Sequence, residues 1–436
     1  MPVDMRATLN KNAVKANTQE NPVAFMSLKL LPHQSADLVP NVALLIDCSG
    51  SMKGEKMQIA KRSAHEYIKG INTVDFISVV AFSSEIKKVV RGRGRPGETI
   101  EKRSEGFLKK ATKALKSDEP RKTPQDERRT MMNEIEEISS GGGTDLFSAL
   151  EVGLNEIRSV NLPPQKSISR IILLTDGKPT TGTTDSNEFI RFAQYLRDEG
   201  ITIVSGGIGP KYNEDLLMQM AENSRAGKWR HLSGPKQISE FMQKEMNRTK
   251  SATMVKPSIQ INPRTRFDVR GAYQYKPETR EVEVQQPGGG NYQLQIGDLV
   301  AGEEQQFLFS LDLPHQPPGD YPLATIDISG ESSIQINVRY SDDENEYKRE
   351  DNPSVRNIFQ LCKSKVLGKE GQVEGDETIA KKAEKLAETV IKDSKAPEHI
   401  KQEATHIKGA TQIKKDESEE DTKLKKEALT TVKRSD

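Results

Sequence analysis

The sequence predicts an α/β fold, a doubly wound and mostly parallel sheet, inserted next to an antiparallel β-sandwich and followed by a charged helical segment. Three observations predict it. Short apolar runs without polar alternation recur between residues 42 and 208, and stretches with helical spacing separate them. From about residue 257 the pattern changes to short alternating runs divided by turn residues.

The first 20 residues carry Asn, Lys and Thr without periodicity and are expected to be disordered. Residues 21–39 contain an alternating run, 24–30 (AFMSLKL), which is expected to pair within the sandwich. On that reading the α/β domain, residues 40–250, interrupts a single β domain. Within it, 42–46 (VALLI), 77–82 (ISVVAF), 171–174 (IILL) and 201–208 (ITIVSGGI) read as strands buried on both faces. Helices are predicted between them from apolar residues at helical spacing. The clearest sets are Ile59, Ala60, Ala64, Tyr67 and Ile68; Leu146, Leu150, Leu154 and Ile157; and Phe189, Phe192, Ala193 and Leu196. Leu216 with Met220, and Ile238 with Phe241 and Met242, mark two more. Residues 251–342 hold six or seven short runs, with turn signals at 287–291 (PGGGN), 297–298 (GD) and 316–320 (QPPGD), as in a β-sandwich. In residues 343–436, Ile379, Ala383, Leu386, Ala387 and Val390 draw a thin apolar stripe, and two or three helices are expected.

A length of 436 residues allows two to three domains at ~150 residues each. Lys and Arg (65) against Asp and Glu (64) leave +1, which excludes a whole-chain field that would draw the protein onto nucleic acid or membrane. No apolar run approaches the roughly 18–20 residues of a membrane span. The polar N-terminus does not read as a signal peptide, and two cysteines, Cys48 and Cys362, make no disulfide framework. A cytoplasmic protein is expected.

The run 42–46 ends in Asp47-Cys48-Ser49-Gly50-Ser51. An acid and two alternate hydroxyls at the carboxyl end of a buried strand lie where α/β folds place ligand sites. Hard oxygens without a soft ligand suit a divalent cation of the Mg²⁺ type. Alone, the stretch also reads as a helix cap, since Asp and Ser are common at that position. Two further pieces point to the cation. Gly141-Gly142-Gly143-Thr144-Asp145 puts a hydroxyl at a loop-to-helix junction, and 171–174 runs into Thr175-Asp176-Gly177, a second acid at a strand end. His399 and His406 read as solvated, and Cys48 as a packed side chain.

DxSxS, then Thr in a GGTD loop, then Asp in TDG resembles the metal-ion-dependent adhesion site of von Willebrand factor A (VWA) domains, over about residues 40 to 250. The resemblance implies a Mg²⁺ ion, with Mn²⁺ or Ca²⁺ as alternatives. Ser49 and Ser51 would bind it directly, Asp47 and Asp176 through water or hydrogen bonds, and Thr144 would join in the ligand-bound arrangement. It also implies binding without chemistry, not an enzyme: a protein partner completes the ion's shell with an Asp or Glu, and Lys53, Gly142, Lys178, Pro179 and Tyr212 are expected to form the rim. The order of VWA domain, sandwich and helical tail is similar to calcium-activated-chloride-channel-like and inter-alpha-inhibitor-like VWA proteins.

Residues 91–130 depart from that pattern as a basic insertion. Between residues 86 and 122 there are 13 Lys or Arg against 5 Asp or Glu, a net +8. This is either a solvated loop or an arm for an acidic partner or nucleic acid. Only Phe107 interleaves as an aromatic, which does not make a stacking platform. Three function classes follow: a metal-dependent protein-binding scaffold, a nucleic-acid-binding VWA protein using the 86–122 arm, and a hydrolase with Asp47 as nucleophile. The last lacks the second acid two residues on, where Ser49 stands.

Overall fold

The computed structural model describes residues 3–33, 38–70, 75–93, 124–163, 166–209, 211–224, 227–255 and 257–411. They form two units, Asp37–Val255 and the pair of flanks Met1–Ala36 and Lys256–Asp436. The first flank carries β1 (Val3–Leu9), β2 (Ala13–Lys15) and β3 (Val23–Pro32). The central unit begins with β4 (Val39–Asp47), α1 (Glu55–Gly70), β5 (Phe76–Phe82), β6 (Ile86–Arg93), α2 (Pro124–Glu136), α3 (Leu146–Ser159) and β7 (Ser167–Thr175). It continues through α4 (Ser186–Glu199), β8 (Ile201–Ile208), α5 (Glu214–Asn223), β9 (Lys228–Leu232), α6 (Pro235–Lys250) and β10 (Ala252–Met254). The second flank has β11 (Ser258–Pro263), β12 (Asp268–Lys276), β13 (Arg280–Glu281), β14 (Gln285–Gly288), β15 (Asn291–Gln295), β16 (Leu299–Val300), β17 (Gln305–Asp312), β18 (Gly319–Ile328) and β19 (Ser332–Ser341). Four helices follow: α7 (Glu344–Tyr347), α8 (Pro353–Glu374), α9 (Glu377–Lys392) and α10 (Glu398–Thr411).

In the central unit the unbroken apolar run of β4 puts side chains on both faces, so both faces must be covered. Val42, Leu44 and Ile46 pack with α1, α2 and α6 in one buried cluster. Ala43 and Leu45 face α3, which comes close because residue 153 is glycine: a Cβ there would lie 3.0 Å from a Leu45 methyl. The sheet order is β6-β5-β4-β7-β8-β9, parallel except for β6 at one edge. The chain leaves β4 for β5 on one side and leaves β7 for β8 on the other. The loops after β4 and β7 therefore diverge, and the crevice between them is the position where such sheets bind ligands.

The flanks build the sandwich. One sheet runs β1-β3-β17-β12-β13 and the other β14-β15-β11-β18-β19-β2. Residues 24–30 lie in β3, which pairs with β1 on one side and with β17 on the other, from Val23 against Asp312 to Leu30 against Gln305. Met26, Leu28, Phe307 and Phe309 fill one face of that sheet and are fully buried. The other face, with Tyr273, Tyr275, Leu308 and Phe25, is covered by α8, α9 and α10 through Val355, Phe359, Cys362, Val390, Ile400 and Ile407. At the centre of this layer Lys365, 1% exposed in its side chain, pairs with Glu403, and Tyr275 donates its hydroxyl to Glu403 Oε2 at 2.7 Å. Lys365 Nζ also reaches Thr279 Oγ1 at 3.4 Å.

Several expectations are corrected. Residues 3–9 and 13–15 are strands, not a disordered tail: Val3, Met5, Ala7 and Leu9 alternate with Asp4, Arg6 and Thr8, a strand period, and main-chain pairing and the buried Asn10 complete the hold. Asn10 donates to Glu350 Oε1 at 3.0 Å and accepts the Phe25 N–H at 2.8 Å. Among the runs expected in residues 251–342, β13 is only 2 residues long, and β9 and β10 were not legible. Of the basic insertion, Arg91 to Arg93 end β6 and residues 124–136 form α2, anchored by Met131 and Ile135. Residues 94–123, which carry +4 of the +8 charge, lie outside the described residues.

Two outcomes are expected. A fragment of residues 37–255 keeps its whole sheet and both helical faces and should fold alone, whereas 256–411 lacks β3, bares the edge of β17 and should aggregate; gel filtration and dispersed amide signals distinguish them. Lys365→Met should cost about 3–5 kcal/mol in denaturant unfolding by stranding the buried Glu403, and adding Glu403→Leu should recover most of the loss.

Candidate metal centre

Asp47 ends β4 with its carboxylate fully buried, and two donors hold it. The Ser49 N–H donates to Oδ1 at 2.8 Å, and the Thr175 hydroxyl donates to Oδ2 at 2.6 Å. Burial still raises the carboxyl above its ordinary range, and the neighbouring Asp176 pushes the same way. The turn closed by the Ser49 N–H aims the following hydroxyls outward. Ser49 Oγ and Ser51 Oγ come within 3.0 Å of each other, and Ser51 donates to Asp176 Oδ1 at 2.7 Å. Asp176, one residue past the end of β7, is 0% exposed in its side chain, and its other oxygen takes Lys56 Nζ at 2.6 Å.

The third loop is tied to both others by backbone. Gly141 N–H donates to the Cys48 carbonyl at 2.7 Å and Gly50 N–H to the Gly142 carbonyl at 3.1 Å. The Thr144 carbonyl accepts the N–H groups of Thr180 and Thr181 at 3.0 and 3.2 Å. The glycines are required by these contacts. Gly142 has φ +90°, and a Cβ on it would lie 2.9 Å from Ser84 Oγ; a Cβ on Gly143 would lie 2.6 Å from Thr181 Oγ1. Asp145 takes no part, because it caps α3 by accepting from Ser148 N at 3.1 Å and from the Ser148 hydroxyl at 2.9 Å.

Gly177 shows where the loops meet. A Cβ built on it would lie 3.3 Å from Thr144 Oγ1, 3.8 Å from Asp47 Oδ2 and 4.0 Å from Ser51 Oγ. Asp47, Ser49, Ser51, Thr144 and Asp176 are thus brought together. Two hydroxyl oxygens 3.0 Å apart match the edge, about 3.0 Å, of an octahedron with arms of about 2.1 Å. Among the described residues no cluster of three or more His, Cys, Asp or Glu could hold an ion. Two carboxylates and three hydroxyls form a harder and more neutral set, which fits a small oxygen-loving cation.

Around this point Lys53, Gly142 and Lys178 are exposed and Pro179 is half-buried. Tyr212 is not part of any rim. It is fully buried, stacked on His231 with its hydroxyl 3.1 Å from Nδ1, and it packs against Gly207. Its position just after a glycine-containing strand end suggested exposure, but the glycine makes room for the ring instead. Two participants were missed by sequence reasoning. Thr175 stood beside Asp176 in the same motif. Lys56 had a signal of its own, since a cation in the first turn of a helix opposes the helix dipole and calls for another reason to be there. Cys48 is buried, and burial together with adjacent Asp47 pushes its thiol up to about 12.

The family model of the von Willebrand factor type A domain matches residues 40–227. An uncharacterized protein of Synechocystis is 23% identical over 350 residues, 78% of this chain and 71% of that protein. Human inter-alpha-trypsin inhibitor heavy chain H2 is 26% identical over 230 residues, 52% of this chain, and the chain spans about a fifth of its length, 21%. Among solved structures, a von Willebrand factor type A protein from Catenulispora acidiphila matches with a TM-score of 0.72 at 16% identity, covering 99% of this chain and 97% of that one. That likeness is one of fold. With its doubly wound sheet and three converging strand-end loops, the segment 40–227 is a von Willebrand factor type A domain.

Proposed function

We propose that Asp47, Ser49, Ser51, Thr144 and Asp176 hold a divalent cation, Mg²⁺ by preference, and that the protein uses it to bind a partner protein through an Asp or Glu side chain. The observation that carries this reading is the hydroxyl pair of Ser49 and Ser51, 3.0 Å apart between two buried carboxylates at the crevice of the sheet. Bound there, the cation supplies one electrophilic position for an external carboxylate. The two serine hydroxyls are neutral donors that leave its charge largely uncompensated. Asp47 fixes the loop: both its oxygens are committed, to Ser49 and Thr175, which suits positioning and not nucleophilic attack. Lys53, Gly142, Lys178 and Pro179 surround the position and supply the contact area that one carboxylate lacks.

We place this activity in the cytoplasm, on the two cysteines, both free and buried. The basic 86–122 arm would raise the on-rate for an acidic partner, an effect that shrinks as the Debye length falls from ~10 Å at 0.1 M salt to ~3 Å at 1 M. The test is calorimetric. Mg²⁺ or Mn²⁺ should bind the wild type, and Ser49→Ala with Ser51→Ala should remove binding while far-UV circular dichroism stays unchanged, since the fold rests on the apolar sheet. Unchanged metal affinity in that double variant overturns the site.

A further inference from the structure

Lys56 holds an unusual position. It is the second residue of α1, and its ammonium sits 2.6 Å from Asp176 Oδ2 while its side chain stays 37% exposed. The partner carboxylate is 0% exposed in its side chain. The two oxygens of Asp176 are thereby divided: Oδ1 faces the hydroxyl pair through Ser51, and Oδ2 faces the ammonium. The helix terminus itself disfavours a cation, so the ion pair is what holds Lys56 there.

Resting on the metal-binding reading above, we propose that Lys56 is a tethered counter-cation that weakens the hold on the metal alone and makes the loaded centre select an anionic partner. The charge count gives the logic. Asp47 and Asp176 contribute two negative charges and Lys56 one positive, so the empty cluster carries −1. A divalent cation turns this to +1, and one external carboxylate brings it to zero. Without Lys56 the same cluster would start at −2, would be neutral with the metal alone, and would become anionic on taking the carboxylate. The lysine therefore shifts free energy from the metal step to the partner step. Metal and partner become coupled, each binding better in the presence of the other.

The test uses the full chain and Mn²⁺. Free Mn²⁺ is followed by electron paramagnetic resonance, and water-proton relaxation reports the displacement of Mn²⁺-bound water by acetate. Lys56→Gln should bind Mn²⁺ at least about tenfold more tightly, the lower end of what one neighbouring charge does to a carboxylate. It should also require more acetate to displace the bound water. Lys56→Arg, which keeps the charge, should behave as wild type in both. Lys69→Gln, at the far end of the same helix in an exposed pair with Glu66, should change neither. Thermal melts in EDTA add a readout without metal: Lys56→Gln should melt below wild type, because Asp47 and Asp176 lose their neutraliser, and Mn²⁺ should raise its melting point more than it raises that of wild type. Equal or weaker Mn²⁺ binding by Lys56→Gln overturns the role of Lys56 and leaves the metal centre standing. No Mn²⁺ binding by wild type overturns the centre, and the inference with it.

Discussion

The Asp47 carboxylate, withdrawn from water at the end of β4, is the constraint on which the crevice depends. An ionised carboxylate in that position is costly unless its oxygens are met. They are met by the backbone of its own loop and by the hydroxyl of Thr175 at the end of a different strand. One residue thus fastens β4 to β7 at the point where the chain turns away from both. The glycines of the third loop follow from the same demand: with Gly50, Cys48 and Thr144 engaged in backbone bonds across the loops, there is no space for side chains at 142 and 143. Hydrogen bonds within the chain thus tie the three loops to one another.

How much was legible in the sequence depended on the kind of signal. Buried parallel strands announce themselves, because eight consecutive positions of β4 must all avoid water. The five residues proposed to hold the cation were equally plain, since they sit in short motifs at the ends of strands or the start of a helix. β1 could have been read, since Val3, Met5, Ala7 and Leu9 alternate with polar residues. What stayed hidden was tertiary: β2, three residues long, takes its identity from its partner β19. Lys56 belongs to a surface helix by pattern and to the crevice only by the fold. Tyr212 went the other way: it lies where loops are exposed, but the absence of a side chain on Gly207 lets its ring turn inward.

The helical segment was read from its thin stripe as a layer in need of a cover, and the sandwich supplies one. Lys365, Glu403 and Tyr275 form a buried polar connection within an otherwise apolar contact. Such a pair adds little net stability over a well-packed apolar replacement, but it penalises every docking in which the two charges do not meet. The layer is thereby held in one register on the face of the β1–β3–β17–β12–β13 sheet.

The pairing of β3 with β17 has a consequence for synthesis. Leu30 bonds across to Gln305, so a strand made early waits for a partner 275 residues later. At roughly 5–20 residues per second the interval is about 14–55 s. Throughout it the nascent chain presents Ala24, Met26, Leu28 and Leu30, side chains that end fully buried, while the domain between them can already close on its own core. Until β17 arrives, that strand edge is open to wrong partners, so its exposure lasts as long as the synthesis of the segment between the two strands.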